Sequence, residues 1–290
     1  MSGLNTKLRK LDEDNKHIRV AIVGAGLMGK GMVSQIMLVK GMIPSLVISH
    51  KISDAVEAYT LAGIKKDDVV VAKNLGEINR AMEQNKYVAS DITEYASEPN
   101  LIDVVVDATG VPDVGAKLAM DAIFNKKHII LLNVEADVVV GPILNKIAKS
   151  AGVVYSGTAG DEPGAVKEIF DFAEATGFEV LAIGKGKNNP LDYEATPDSV
   201  REQALKYKLK PLRLASFIDG TNTMIEMAAM ANATGFLPDI RGGHCPTTDV
   251  KSLPKVYSLK EEGGILNKYK IVDYALGIAP GVFVIAASAP

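Results

Sequence analysis

Two lysines spaced by glycines, Gly184-Lys185-Gly186-Lys187, follow the apolar run 180–183, and Asn188-Asn189-Pro190 come directly after them. A lysine beside a reacting carbonyl can stabilise developing oxyanion charge or hold a phosphate. If it is buried its pKa falls, and it can exchange a proton near neutral pH. Asn188 and Asn189 each donate and accept, which suits a polyhydroxylated substrate. On its own, G-K-G-K reads equally as a solvated turn whose glycines let the backbone bend toward a ligand. Carboxylates that could serve these lysines occur at three places. Asp161 and Glu162 stand in "GTAGDEPG" (157–164), where Pro163 also allows them simply to cap a helix. Glu226 lies one helical turn from Asn222 in a stretch with no other charge, so its burial would demand a partner such as Lys185 or Lys187. Glu135, in "LLNVEAD" (131–137), is either a substrate-facing group, with Asn133 beside it as a further ligand contact, or an ordinary helix N-terminal acid.

A second constellation binds rather than reacts. Gly24-Ala25-Gly26-Leu27-Met28-Gly29 follows the apolar segment Ile18–Val23 and opens a helical pattern. In that context G-x-G-x-x-G is a dinucleotide fingerprint: Gly24 for the turn, Gly26 for approach of the pyrophosphate, Gly29 for close helix packing. The helix N-terminus offers unpaired N–H groups to the phosphates. The end of the second strand usually carries an acid for the ribose hydroxyl of NAD. Here it reads Ser49-His50-Lys51, a hydroxyl and two potential cations that suit the 2′-phosphate of NADP. Asp107-Ala108-Thr109-Gly110 end another strand and are expected beside the cofactor.

These residues need a scaffold. Strand-like runs at Ile18–Val23, 46–49, Val104–Asp107, 128–132 and 153–155 alternate with helical patterns near 27–40, 53–62, 74–85, 112–125 and 138–150. That alternation predicts an α/β fold: an N-terminal Rossmann doubly wound parallel sheet over residues 1–155. A second α/β (α+β) unit, catalytic and dimerising, follows over 156–278. Within it the pattern predicts helices at 162–175, from about 197 (Thr196 as cap, Pro197 first) and at 221–235. Strands are predicted at 178–183 and 212–218, a largely loop region at 237–272, and a strand at 279–288 that could rejoin the first sheet. A net charge of −3 gives no general pull toward nucleic acid or an anionic membrane. No apolar run is long enough to span a bilayer, and a charged N-terminal stretch without an apolar core points to the cytoplasm. The single cysteine, Cys245, excludes an internal disulfide. The four histidines and this cysteine lack metal-ligand spacing, so no metal is expected. A weak Mg²⁺ or Mn²⁺ site would have to come from Asp161 and Glu162. His244, in "RGGHCP", reads as structural or exposed.

The motifs "NVEADVVVGP", "GDEPGAVKE", "GKGKNNPLDYEATPDS", "FIDGTNTMIEMAAMANATG" and "APGVFV", in that order over nearly the whole chain, resemble the homoserine-dehydrogenase-like oxidoreductases. The nearest resemblance is to the 1-deoxy-D-xylulose-5-phosphate reductoisomerase-like family. It implies an NADP-binding Rossmann domain, an α/β catalytic domain and a homodimer. It also implies a small-molecule substrate, in at least one member the sugar phosphate 1-deoxy-D-xylulose 5-phosphate, converted to 2-C-methyl-D-erythritol 4-phosphate in isoprenoid precursor synthesis. In this family the strand leading to Lys185 and Lys187 serves the nicotinamide. Two departures matter. Homoserine dehydrogenases carry an Asn-Lys pair after the fifth strand, where this chain has Glu135-Ala136, which disfavours ordinary homoserine chemistry. Family members often continue into a C-terminal SAF-type domain, whereas this sequence ends at Pro290, as a short member or a truncated chain would. The alternatives are a homoserine dehydrogenase-type enzyme of amino-acid metabolism and a non-catalytic NADP-binding sensor or scaffold.

Overall fold

The structure is a computed structural model and describes residues 3–207 and 209–288. The chain divides into two compact units, residues 1–158 and 159–290. The first contains seven strands: β1 (Ile18–Val23), β2 (Met42–Ile48), β3 (Val69–Val71), β4 (Tyr87–Ser90), β5 (Val104–Asp107), β6 (His128–Leu131) and β7 (Tyr155–Gly157). They form one sheet in the order β3-β4-β2-β1-β5-β6-β7, and every pair is parallel. Its helices are α1 (Leu4–Glu13), α2 (Leu27–Met37), α3 (Ile52–Leu61), α4 (Leu75–Glu83), α5 (Pro112–Phe124) and α6 (Val134–Ala151). Side chains of β1 alternate between two cores. Ala21 and Val23 pack with residues of α4, α5 and α6, while Val20 and Ile22 pack with α2 and α3. A sheet covered on both faces is the doubly wound Rossmann arrangement predicted from the alternation. The strand order reverses between β1 and β5, which makes the carboxyl ends of these two strands the ligand-binding edge.

The second unit contains α7 (Glu162–Ala175), β8 (Phe178–Lys187), α8 (Arg201–Lys206), α9 (Pro211–Ile218), α10 (Thr221–Thr234), α11 (Leu253–Val256), β9 (Ile271–Leu276) and β10 (Val282–Ser288). Its sheet has the order β10-β8-β9, antiparallel on one side and parallel on the other. One face of β8 packs Val180 and Ile183 against Val166 and Phe170 of α7 and Met227 and Met230 of α10. The other places Ala182 among Tyr257, Leu266, Phe283 and Ile285. No helix among the described residues is long and apolar enough to cross a membrane.

Several expectations are corrected here. The stretch 212–218 is a helix, not a strand. Its alternating L-R-L-A-S-F-I imitates period two, but Pro211 starts a helical turn, and Leu214 and Ala215 bury one side against Val200 and Ala204. The strand near 279–288 does not rejoin the first sheet; β10 pairs with β8. The helix expected from 197 begins at Arg201, and the Thr196 hydroxyl instead accepts a bond from Ser199 N–H (3.2 Å) in the turn before it. Finally, Gly184–Lys187 are not loop: β8 runs through both lysines.

Candidate active site

In the first unit the glycine fingerprint has the geometry a dinucleotide requires. Gly24 leaves β1 with φ +101°, and a Cβ there would lie 2.6 Å from the Ala108 carbonyl oxygen at the end of β5. A Cβ on Gly29 would meet the Gly24 carbonyl at 1.8 Å, so the turn and α2 close on each other only as glycines. Gly26 differs, since nothing lies within 4 Å of its would-be Cβ. It is exposed and marks the start of α2, whose first N–H groups receive no side-chain cap. Open space over a bare helix N-terminus fits a pyrophosphate. Beside it, Leu27 and Met28 are exposed.

Asp107 and Asn133 are braces. Asp107 is fully buried and accepts bonds from Thr109 N–H (2.9 Å), the Thr109 hydroxyl (2.7 Å) and the Asn133 amide (2.9 Å). The same amide donates to the Val111 carbonyl (2.9 Å), and its oxygen accepts from Ala136 N–H (3.2 Å), which caps α6. These bonds fix the loop 107–111, including Gly110 at φ +64°, at the binding edge. Asn133 therefore shapes that edge from beneath. Glu135 sits half-buried in the first turn of α6, matching the helix-terminal reading. At the end of β2, Ser49 is half-buried with its N–H donating to the Ser90 carbonyl (3.0 Å), while His50 and Lys51 are exposed. Residues 49–51 contain no carboxylate.

The second unit gathers most of the remaining candidates. Lys185 is 6 % exposed and its ammonium is clamped by two carboxylates, Glu162 at 2.8 Å and Glu226 in close contact. Glu226, itself 7 % exposed, takes a second bond from the Asn222 amide (2.7 Å). The requirement that a buried acid on α10 have a partner is thus met by Lys185. Carboxylate oxygens of Asp161, Glu162 and Glu226 all lie within 4.8 Å of one another. Asp161 begins α7 at the N-cap position, where an aspartate ordinarily bonds the helix N–H groups, yet its side chain makes no such cap. Two acids share one ammonium with Asp161 beside them, and the proton affinities of the three separate accordingly. Burial, then the charge of Glu162, pushes Asp161 up to about 6. Burial also raises Glu226. It works the same way on Glu162 and is the largest influence there, but the bond and charge of Lys185 and the hydrogen bonds around the carboxylate together outweigh it and hold that carboxyl below its ordinary value. Burial works against the charge of Lys185, and the two carboxylates more than compensate, leaving its pKa raised. Groups whose affinities are pushed apart within one cluster are suited to passing a proton.

Lys187, two residues along the same face of β8 and 4 % exposed, donates to the Phe217 carbonyl at the end of α9 (2.6 Å). Burial lowers its pKa. The glycines between these lysines serve packing, not flexibility. A Cβ on Gly184 would lie 1.9 Å from the Asp273 carbonyl oxygen, and one on Gly186 would lie 2.6 Å from Ala279 N. Asn188 is exposed and Asn189 half-buried just past the strand end, and neither side chain bonds within the described residues.

Sequence reasoning missed two features. Asp273 on β9 is buried and receives N–H bonds from His244 (2.9 Å), Cys245 (3.4 Å) and Tyr274 (2.7 Å), so it anchors the loop carrying "GHC". Burial raises its pKa against those donors. His244 joins the loop down through Asp239 (2.8 Å), which also accepts from Asn267 N–H (2.9 Å), supporting its structural reading. A lone acid inside the strand "IVDYAL" was the available signal.

With this geometry in view, comparison with known proteins gives first a class. Each unit resembles a domain of an oxidoreductase, one that binds a nicotinamide nucleotide and one that is catalytic. More particularly, residues 24–156 match the homoserine dehydrogenase NAD-binding domain, and residues 160–290 match the catalytic domain of the oxidoreductase DRL. No curated protein sequence matches the chain. Among solved structures, a probable dehydrogenase from Thermotoga maritima is 13 % identical over 93 % of this chain and 73 % of its own, with a TM-score of 0.51. Levoglucosan dehydrogenase in complex with NADH and L-sorbose is 16 % identical (63 % and 45 % covered, TM-score 0.39). Homoserine dehydrogenase from S. aureus is 19 % identical (50 % and 32 % covered, TM-score 0.34). The chain spans less than half the length of these last two. At such identities the likeness is one of fold.

Proposed function

We propose that this protein is an NADP(H)-dependent oxidoreductase acting on a small hydroxylated carbonyl compound, with the reductoisomerisation of 1-deoxy-D-xylulose 5-phosphate as the specific reaction. The observation that carries this reading is the buried Lys185 clamped by Glu162 and Glu226, with Asp161, whose proton affinity is raised, beside them. Two matches support it, to a nucleotide-binding domain and to an oxidoreductase catalytic domain. Ser49, His50 and Lys51, with no acid among them, support NADP over NAD. When bound, the nicotinamide nucleotide would supply the hydride that reduces the carbonyl carbon. The chain supplies the rest. Gly24, Gly26 and the start of α2 hold the pyrophosphate, with Ala108, Thr109 and Gly110 along the same edge. Lys185, Lys187, Asn188 and Asn189 bind and polarise substrate oxygens. Glu226 and Asp161, whose proton affinities burial raises, resupply through Lys185 the proton that the reduced oxygen takes, while Glu162 stays ionised and holds the ammonium. Glu135 is a further candidate for substrate contact. The same reading makes the enzyme a cytoplasmic homodimer.

The test is consumption of NADPH by purified protein with 1-deoxy-D-xylulose 5-phosphate, beside reduction of NADP⁺ with homoserine. The homoserine arm matters because the first unit matches a homoserine dehydrogenase domain. NADPH binding without turnover on either substrate would leave the sensor reading.

A further inference from the structure

The two lysines of β8 are not equivalent, and the difference assigns them separate work. Lys185 has its charge answered within the chain by Glu162 and Glu226. Lys187 does not. Its one hydrogen bond among the described residues is to a neutral carbonyl, that of Phe217, and no carboxylate lies within ion-pair reach of its ammonium. The charged or titratable groups that face it are Cys245, Lys185, Asp219 and Glu226. None of them neutralises it. Glu226 is already engaged with Lys185 and Asn222. Asp219 caps the turn into α10 through Thr221 N–H (2.7 Å). Burial keeps the Cys245 thiol protonated, and Lys185 is a like charge. A lysine that is 4 % exposed and whose ammonium lacks an anion is costly to keep in a fold. An ammonium also carries three donors, and this one uses a single donor among the described residues. Residues two apart on a strand share a face at about 7 Å spacing. An anionic oxygen on Lys187 would therefore leave the rest of a small molecule within reach of the Lys185 cluster and of the unbonded amides Asn188 and Asn189.

We propose that Lys187 is the anion-receiving residue of this site, binding a phosphate or carboxylate oxygen of the substrate, while the charge of Lys185 stays with the carboxylate cluster. The ligand's being a substrate rests on the oxidoreductase reading; the anion site itself does not.

The test uses the whole chain and two probes, inorganic phosphate and acetate, titrated calorimetrically without nucleotide. Wild type binds phosphate, acetate or both saturably, and which of them binds separates phosphate from carboxylate recognition. Lys187→Met weakens that binding at least about tenfold, the scale of one charge-assisted donor, whereas Glu162→Gln weakens it less than threefold. If Lys187→Met does not fold, Lys187→Gln reports the same loss. Unchanged anion binding in the Lys187 variant, no saturable binding of either anion to wild type, or loss in Glu162→Gln as large as in the Lys187 variant would overturn the assignment. Anion binding through Lys187 without NADPH turnover would keep this inference and remove the oxidoreductase reading.

Discussion

Replacing Lys185 with methionine keeps the apolar stem and removes the charge that Glu162 and Glu226 share. The Glu226 side chain is 9 % exposed and cannot regain water, whereas the Glu162 side chain, 38 % exposed, can partly do so. Breaking a buried pair by removing one partner costs roughly 3–5 kcal/mol, and with Glu162 discounted for screening the lower end, about 3 kcal/mol, applies near pH 8. The cost is capped, because Glu226 can take a proton instead. Each pH unit of acidification makes that escape about 1.4 kcal/mol easier. The raised pKa of Lys185 keeps it charged in folded and unfolded wild type alike throughout this range, so its own contribution is constant until strongly alkaline pH. The deficit of Lys185→Met should therefore shrink as pH falls from 8 toward 5, by no more than about 1.4 kcal/mol per unit, over the range in which Glu226 is protonated in the variant and ionised in wild type. Urea titrations read by hydrogen exchange in β8 and α10 measure it. A deficit below about 1 kcal/mol at pH 8, or one that stays the same as pH falls over that range, would refute the reasoning.

Four further outcomes follow from the same geometry. Asp161→Asn should stabilise the protein at pH 8. The folded pKa of Asp161 near 6 lies above its unfolded value, so the wild-type carboxyl favours folding when protonated at low pH and loses that advantage as pH rises through about 6; melting curves at pH 4.5 and pH 8 check this. Gly24→Ala should cost about 1–3 kcal/mol and nucleotide affinity together, because φ is +101° and Ala108 stands in the way. Gly26→Ala should leave the melting temperature unchanged yet weaken NADPH, since its Cβ meets only open space in the free chain. Lys51→Ala should reduce NADPH affinity about tenfold and NADH affinity little, measured by titration calorimetry.

The nucleotide-binding unit was largely legible in the sequence. Five of its strands and the helices between them followed from alternating β-branched and helical runs, and the glycine fingerprint found its place between β1 and α2. The short strands β3, at the sheet edge, and β4 beside it, three and four residues long, carried too little pattern to separate from their flanking turns. In the second unit, local pattern misled where tertiary packing decides. Gly184-Lys185-Gly186-Lys187 has loop composition, but each glycine abuts a neighbouring backbone and each lysine finds an acceptor on a helix distant in sequence. Helix α9 read as a strand because its alternation was visible and its buried partners, Val200 and Ala204, were not. The pairing of Glu226 with a lysine of β8 was anticipated because one acid in an otherwise uncharged helix requires a cation. Which lysine answered it depended on strand register.

The most direct measurement is NADPH oxidation with 1-deoxy-D-xylulose 5-phosphate by wild type and Glu226→Gln, with NADPH affinity determined for both. The account predicts turnover in wild type and a loss of about 100-fold or more in the variant, the scale of removing a positioned proton-transfer group, at unchanged NADPH affinity. Full turnover in Glu226→Gln would contradict it, as would NADPH binding by wild type with no oxidation in the presence of any carbonyl substrate offered.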